Sequence, residues 1–125
     1  MEGLRLKLWL DDRRPAPSGW TRAYTVADAQ RYLATGLVEE ASLDHDLGAC
    51  DACMGGLSTR EWLETNDYDM PTCEHVGTGY TLCLWMEQTG HWPAKMPEVH
   101  SMNTVGADRM KAIIRRAFSS GRRPR

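Results

Sequence analysis

The sequence lacks any apolar run of the roughly 20 residues that a membrane-crossing helix needs, so no membrane association is expected. No secretory leader is expected either: Met1 to Leu10 is too short for one and runs straight into Asp11, Asp12 and two arginines. No repeat or low-complexity tract interrupts the chain. A field of one charge sign is also absent. The formal net charge is −2, which gives no overall basic surface to call for nucleic acid. At 125 residues there is room for one domain and not comfortably for two. These absences predict a single domain, 1–125, in a reducing cytoplasm, where cysteines read as ligands or core residues before disulfides.

What is present suits a globular chain. Hydrophobic residues make up 42% and charged residues 26%, too apolar a balance for disorder. The basic residues are uneven, with Arg115, Arg116, Arg122, Arg123 and Arg125 crowding the end. Residues 119–125 are expected to form a basic flexible tail, solvated and able to touch phosphates.

Leu4, Leu6, Leu8 and Leu10 alternate with Arg5, Lys7 and Trp9 until two acids stop the run. The pattern predicts a strand that delivers Asp11 and Asp12 to a sheet edge. Arg13 to Gly19, with two prolines, is a loop, and Trp20 to Tyr24 a brief second strand. Thr25 caps a helix, with Asp28 in the place of a capping-box acid and Val26, Ala29, Leu33 and Leu37 on one face. Ala41 to Asp44 reads as a third strand. A short helix is predicted from Ser58 to Glu64 and a further helix from Thr78 to Gln88. Glu98 to His100 is a last short strand. Asn103 or Thr104 then caps a helix that buries Ala107, Met110, Ile113, Ile114, Ala117 and Phe118.

Strands alternating with helices predict βαβ units and a parallel sheet, an α/β fold. Right-handed crossovers put every strand's C-terminal end on one side, the side where such sheets bind ligands. The three exits read Asp-Asp, Asp-His-Asp and His-Ser. Crowded carboxylates raise one another's pKa, and a hard cation such as Mg²⁺ or Mn²⁺, which takes oxygen ligands, relieves this. Asp11, Asp12, Asp44 and Asp46 are therefore candidate metal ligands, or else solvated residues at strand ends.

The motifs Leu-Asp-Asp-Arg-Arg-Pro, Ser-Leu-Asp-His-Asp-Leu-Gly, Gly-Tyr and Val-His-Ser-Met-Asn-Thr-Val-Gly-Ala occur in this order. Leu10-Asp11-Asp12, Val26-Ala27-Asp28-Ala29 and Leu43-Asp44 resemble response-regulator receiver domains. Taken together, the motifs are similar to a reduced, receiver-derived family, the cyclic-phosphate processing receiver-like domain. The resemblance implies a small, open parallel sheet of about four strands, order 2-1-3-4, flavodoxin-like, with helices on both faces. It implies processing of cyclic phosphates on RNA ends or nucleotides, and a Ser101 hydroxyl in contact with a phosphoryl group. Two departures from ordinary receivers argue against signalling. No strand with a phosphate-sensing lysine follows the helix after Ser101, and the first receiver helix is replaced by Arg13 to Gly19.

The expected activity is that of a metal-dependent phosphoesterase. Asp12 and Asp44 would hold the cation that polarises the phosphoryl group, Arg13 would clamp the phosphate, and His100 would serve as general acid or base. Ser101, Asn103 and the amides opening the last helix offer an anion site, with His45 beside it, unless His45 points into the sheet. The alternatives are a non-catalytic receiver-like module that regulates a partner protein, and a signalling domain with Asp44 as phospho-acceptor.

The stretch 48–77 breaks the receiver-like pattern and reads as a Cys/His-rich insert. Cys50 and Cys53 form one knuckle and Cys73 and His75 a second, a set suited to tetrahedral zinc. So short an insert has little core, so this zinc would be structural. The alternatives are free thiols or a Cys50–Cys53 redox pair. Cys83 falls on an apolar helix position and is expected in the core. Trp20, Trp62 and Tyr68 are candidate surfaces for stacking a base.

Overall fold

In β1, Leu6–Leu10, Leu8 and Leu10 are fully buried, while Lys7 before them is exposed and Trp9 between them is half-buried. The chain here has period 2, and the apolar side faces the core. The computed structural model describes residues 5–48, 50–65, 73, 75–101 and 103–119. β1 pairs in parallel with β2, Thr21–Ala23, on one side and β3, Val38–Leu43, on the other. β3 in turn pairs in parallel with β4, Glu98–Val99. The strand order is β2-β1-β3-β4, the receiver-like order expected from the sequence.

Five helices lie among the described residues: α1 Val26–Ala34, α2 Asp51–Met54, α3 Thr59–Thr65, α4 Gly79–Thr89 and α5 Thr104–Ser119. α4 packs against both α1 and α5. Leu33, Leu82, Met86, Met110 and Ile114 from this layer join Leu8, Leu10 and Leu43 of the sheet in one core. Lys7, Trp9, Glu40 and Ser42 alternate away from it, and Lys7 reaches Glu40 at 3.7 Å across that side of the sheet. No helix among the described residues is long and apolar enough to cross a membrane.

Several boundaries differ from the sequence reading. β3 begins at Val38, earlier than Ala41, because Leu6 and Lys7 offer partners back to Val38 and Glu40. Leu37 is not on the helix face. The helix closes at Thr35 and Gly36, which leaves Leu37 39% exposed. Asp28 accepts from the N–H of Tyr24 rather than that of the cap residue Thr25, one position from a true capping box. The short helix α2 over Asp51–Met54 was not anticipated. Ser58 and Glu61 form a capping box at α3, the Ser58 N–H donating to Glu61 Oε1 at 3.0 Å and the Glu61 N–H to Ser58 Oγ at 3.1 Å. Residues 120–125, the bulk of the basic tail, and Tyr68 lie outside the described residues.

Candidate metal and phosphate site

Each ladder continues past its strand and carries an ionisable residue to the sheet edge. The N–H of Asp11 donates to Ala23 O at 3.1 Å, that of Asp44 to Leu10 O at 2.9 Å, and that of His100 to Leu43 O at 2.9 Å. Period 2 puts Asp11 on the side of Trp9, Asp44 on that of Ser42 and His100 on that of Glu98. The pairings Trp9 with Ser42 and Ser42 with Glu98 bring these three columns side by side.

Asp11 is 1% exposed. Its Oδ1 accepts the backbone N–H groups of Arg13 and Arg14, both at 2.8 Å, so the carboxylate itself turns the chain out of β1. Oxygen atoms of Asp11, Asp12 and Asp44 all lie within 4.8 Å of one another. Asp12 is pushed up from 3.8 to about 6, chiefly by burial and then by the charges of Asp11 and Asp44, although a backbone hydrogen bond and Arg13 pull the other way. Asp44 is raised as well, first by burial and then by Asp11. The N–H of His45, the His100 ring and the Ser101 hydroxyl offset part of this. Gly48 completes the packing: its φ of +75° is one an L side chain rarely adopts, and an added Cβ would lie 2.6 Å from Asp12 Oδ2.

Asp12 Oδ1 is buried and has no hydrogen-bond partner among the described residues. A buried carboxylate oxygen without a donor is costly. Together with a cluster of three carboxylates, this suits a hard divalent cation with oxygen ligands. Asp46 lies outside the group: its Oδ1 is 2.8 Å from His45 Nδ1 and 3.4 Å from Asn103 Nδ2. Asn103 also caps α5, its Oδ1 accepting the N–H of Gly106 at 2.8 Å. The His45 ring lies flush against Gly106, where an added Cβ would meet it at 2.5 Å.

These residues surround an open cleft of about 360 Å³ lined by Asp11, Arg13, Arg14, Pro15, Asp44, Asp46 and Ser101. The sequence reading placed Arg13 and Ser101 here but passed over Arg14, whose guanidinium donates to His100 O at 3.3 Å. His100 is set behind Asp11, not at the cleft wall. Its Nε2 is 3.0 Å from Asp11 Oδ2 and its Nδ1 2.7 Å from Ser42 Oγ. Its ring stacks on Trp9 at 3.9 Å, with 7° between planes. Trp20 meets Trp9 edge-on at 6.1 Å.

A second cluster lies in the insert. Cys50, Cys53, Cys73 and His75 bring their ligand atoms within 4.8 Å of one another. Nδ1 of His75 is 3.5 Å from Cys50 Sγ and 3.3 Å from Cys53 Sγ, and the N–H of Cys50 donates to Cys73 Sγ at 3.2 Å. That amide, with the N–H of Val76 and the His75 ring, draws Cys73 down to about 6 against the effect of burial. The Cys50 thiol beside it pushes Cys53 up to about 11. Three sulfurs and one imidazole are a donor set for tetrahedral zinc. Cys83 is fully buried in the core, as expected, and burial pushes its thiol up to about 12.

A four-stranded parallel sheet with acids at its C-terminal edge defines a receiver-like domain. The chain belongs to a family within that class: it matches the cyclic-phosphate processing receiver domain over residues 6–116. Searches of curated proteins and of solved structures each returned no match.

Proposed function

We propose that the protein is a metal-dependent phosphoesterase that opens cyclic phosphates on RNA ends or nucleotides. One observation carries the reading. Three carboxylates cluster, one with an orphaned buried oxygen, and two of them, Asp11 and Asp44, line a cleft with Arg13, Arg14 and Ser101. Asp11, Asp12 and Asp44 would hold Mg²⁺ or Mn²⁺, which when bound supplies Lewis acidity and a more acidic water.

The remaining chemistry belongs to the chain. Arg13 and Arg14 put positive charge at the cleft for a phosphate that the carboxylates alone would repel. Arginine suits this because its planar fork matches phosphate oxygens. Asp46 also lines the cleft and is coupled to His45. It can take a proton from the attacking water or return one to the leaving oxygen. The Ser101 hydroxyl hydrogen-bonds Asp44 and offsets part of the rise that burial imposes on that carboxyl. In the insert, the Cys₃His set would hold zinc for folding and not for turnover.

The test is hydrolysis of 2′,3′-cyclic nucleotides and RNA 2′,3′-cyclic ends in Mg²⁺ or Mn²⁺. Asp44→Asn should lower turnover by about 100-fold or more, the scale of losing a preorganised charge, while leaving the circular dichroism spectrum intact. Cleavage by the variant at the unaltered rate, or no cleavage of any cyclic phosphate by the unaltered protein, would overturn the proposal.

A further inference from the structure

We infer that Ser42, His100 and Trp9 form a positioning string that aims the Asp11 carboxylate, an inference that rests on the cation reading of the acidic site. Asp11 as a carboxylate can only accept hydrogen bonds. His100 Nε2, at 3.0 Å from Asp11 Oδ2, must therefore carry the proton in that contact. A neutral ring then presents Nδ1 as an acceptor, and Ser42 Oγ, 2.7 Å away, is the donor that meets it. The carboxylate thus sets the ring tautomer, and the hydroxyl on the neighbouring strand completes it by donating to the other nitrogen. Ser42 is 6% exposed, and water has little access to compete.

Trp9 fixes the remaining freedom. Stacked at 3.9 Å and nearly parallel, it leaves the imidazole free only to slide in its own plane. The two hydrogen bonds stop that sliding. Asp11 is consequently held at both oxygens, Oδ1 by two backbone amides and Oδ2 by His100. Oδ1 spends both of its lone-pair directions on the two amides, so the direction left for a cation is the second one on Oδ2, and it is set before any cation arrives. Outer groups that orient a ligand in this way are typically worth about 10- to 100-fold in metal affinity.

The arrangement does not suit His100 as a proton donor to substrate, since its Nε2 points at Asp11 and the cleft is lined by other groups. His100 is a positioning residue that works through Asp11. The proposal also gives a purpose to Ser42, a polar side chain buried in the middle of a sheet.

The experiment measures Mn²⁺ binding to the full chain by electron paramagnetic resonance, with thermal unfolding of the same samples. Ser42→Ala and His100→Ala should each weaken Mn²⁺ binding by about 10-fold or more, with His100→Gln, which keeps a donor, between them and the unaltered protein. Long-range ¹H–¹⁵N spectra of the unaltered protein should show His100 in the Nε2–H form. Unchanged Mn²⁺ affinity in the alanine variants, whatever their melting temperatures, would reduce the string to a merely structural role and overturn the inference, as would the Nδ1–H form. If the unaltered protein binds no Mn²⁺, the cation reading itself fails. That outcome is distinct from equal binding by protein and variants, which defeats only the positioning role.

Discussion

Asp12 holds its proton up to about 6 in the fold against 3.8 in an unfolded chain, because burial and two neighbouring carboxylates disfavour its charge. The folded state therefore binds more protons than the unfolded one between these values. This contribution to stability is complete below about pH 4 and is lost as pH rises through 6. Metal-free protein should accordingly lose stability from pH 5 to 7.5. A saturating divalent cation should raise the melting temperature more at pH 7.5 than at pH 5. Asp12→Asn removes the charge and should stabilise the metal-free protein at pH 7.5 by about 1 kcal/mol after allowing for solvent screening, roughly 3–6 °C. Calorimetry at the two pH values checks both; a melting temperature independent of pH would refute the account. Asp11, Asp12 and Asp44 were legible in the sequence because each follows an alternating or apolar run that had to be a strand. Ser42 and Trp9 were not. A serine or tryptophan inside a strand signals nothing by itself, and the partner of Ser42 lies 58 residues away. Asp46 looked equivalent to the other acids, but beyond the end of β3 the chain is already turning, and its side chain meets His45 and Asn103 instead.

Among the elements, the described helices of the insert are short. α2 and α3 span four and seven residues, and isolated helices that short are not stable in water. Zinc at Cys50, Cys53, Cys73 and His75 would replace the missing core. Purified protein should carry close to one zinc per chain by elemental analysis. Cys53→Ser should lose it, with helical signal from α1, α4 and α5 retained; metal-free protein with a protease-resistant insert would contradict this. The insert also adjoins the acidic site, because Gly48 at its start presses on Asp12. Loss of zinc should therefore weaken cation binding at the carboxylates as well. The α1, α4 and α5 helices were readable from cap residues and apolar stripes. α2 was not, since four residues cannot display a helical period, and the length of β3 depended on partners in β1 that no local pattern reveals.

At the scale of the whole molecule, net charge says little about what binds. A total of −2 conceals a cleft in which Arg13 and Arg14 face carboxylates. Under the proposed function, recognition of a phosphate would therefore be local and sensitive to salt. Arg14→Ala should raise KM for a cyclic phosphate several-fold and leave kcat nearly unchanged, and the dependence of KM on ionic strength should flatten. Steady-state kinetics at low and high salt would show it; a fall in kcat alone would place Arg14 in the chemical step instead. The strand order followed from the family motifs, whereas the cleft's second arginine came only from the geometry of the loop after β1.

The edge position of β4 has a consequence for how the protein is made. β1, β2 and β3 can pair early in synthesis, but His100 and Ser101 emerge after the insert, and Asn103 and Gly106 follow on α5. Until these residues dock, Asp11 has no imidazole, Asp44 no hydroxyl and Asp46 no amide. Pairings so distant in sequence form slowly. A ribosome-bound chain would thus carry these carboxylates without their long-range partners, which reach them only in the final stage of folding.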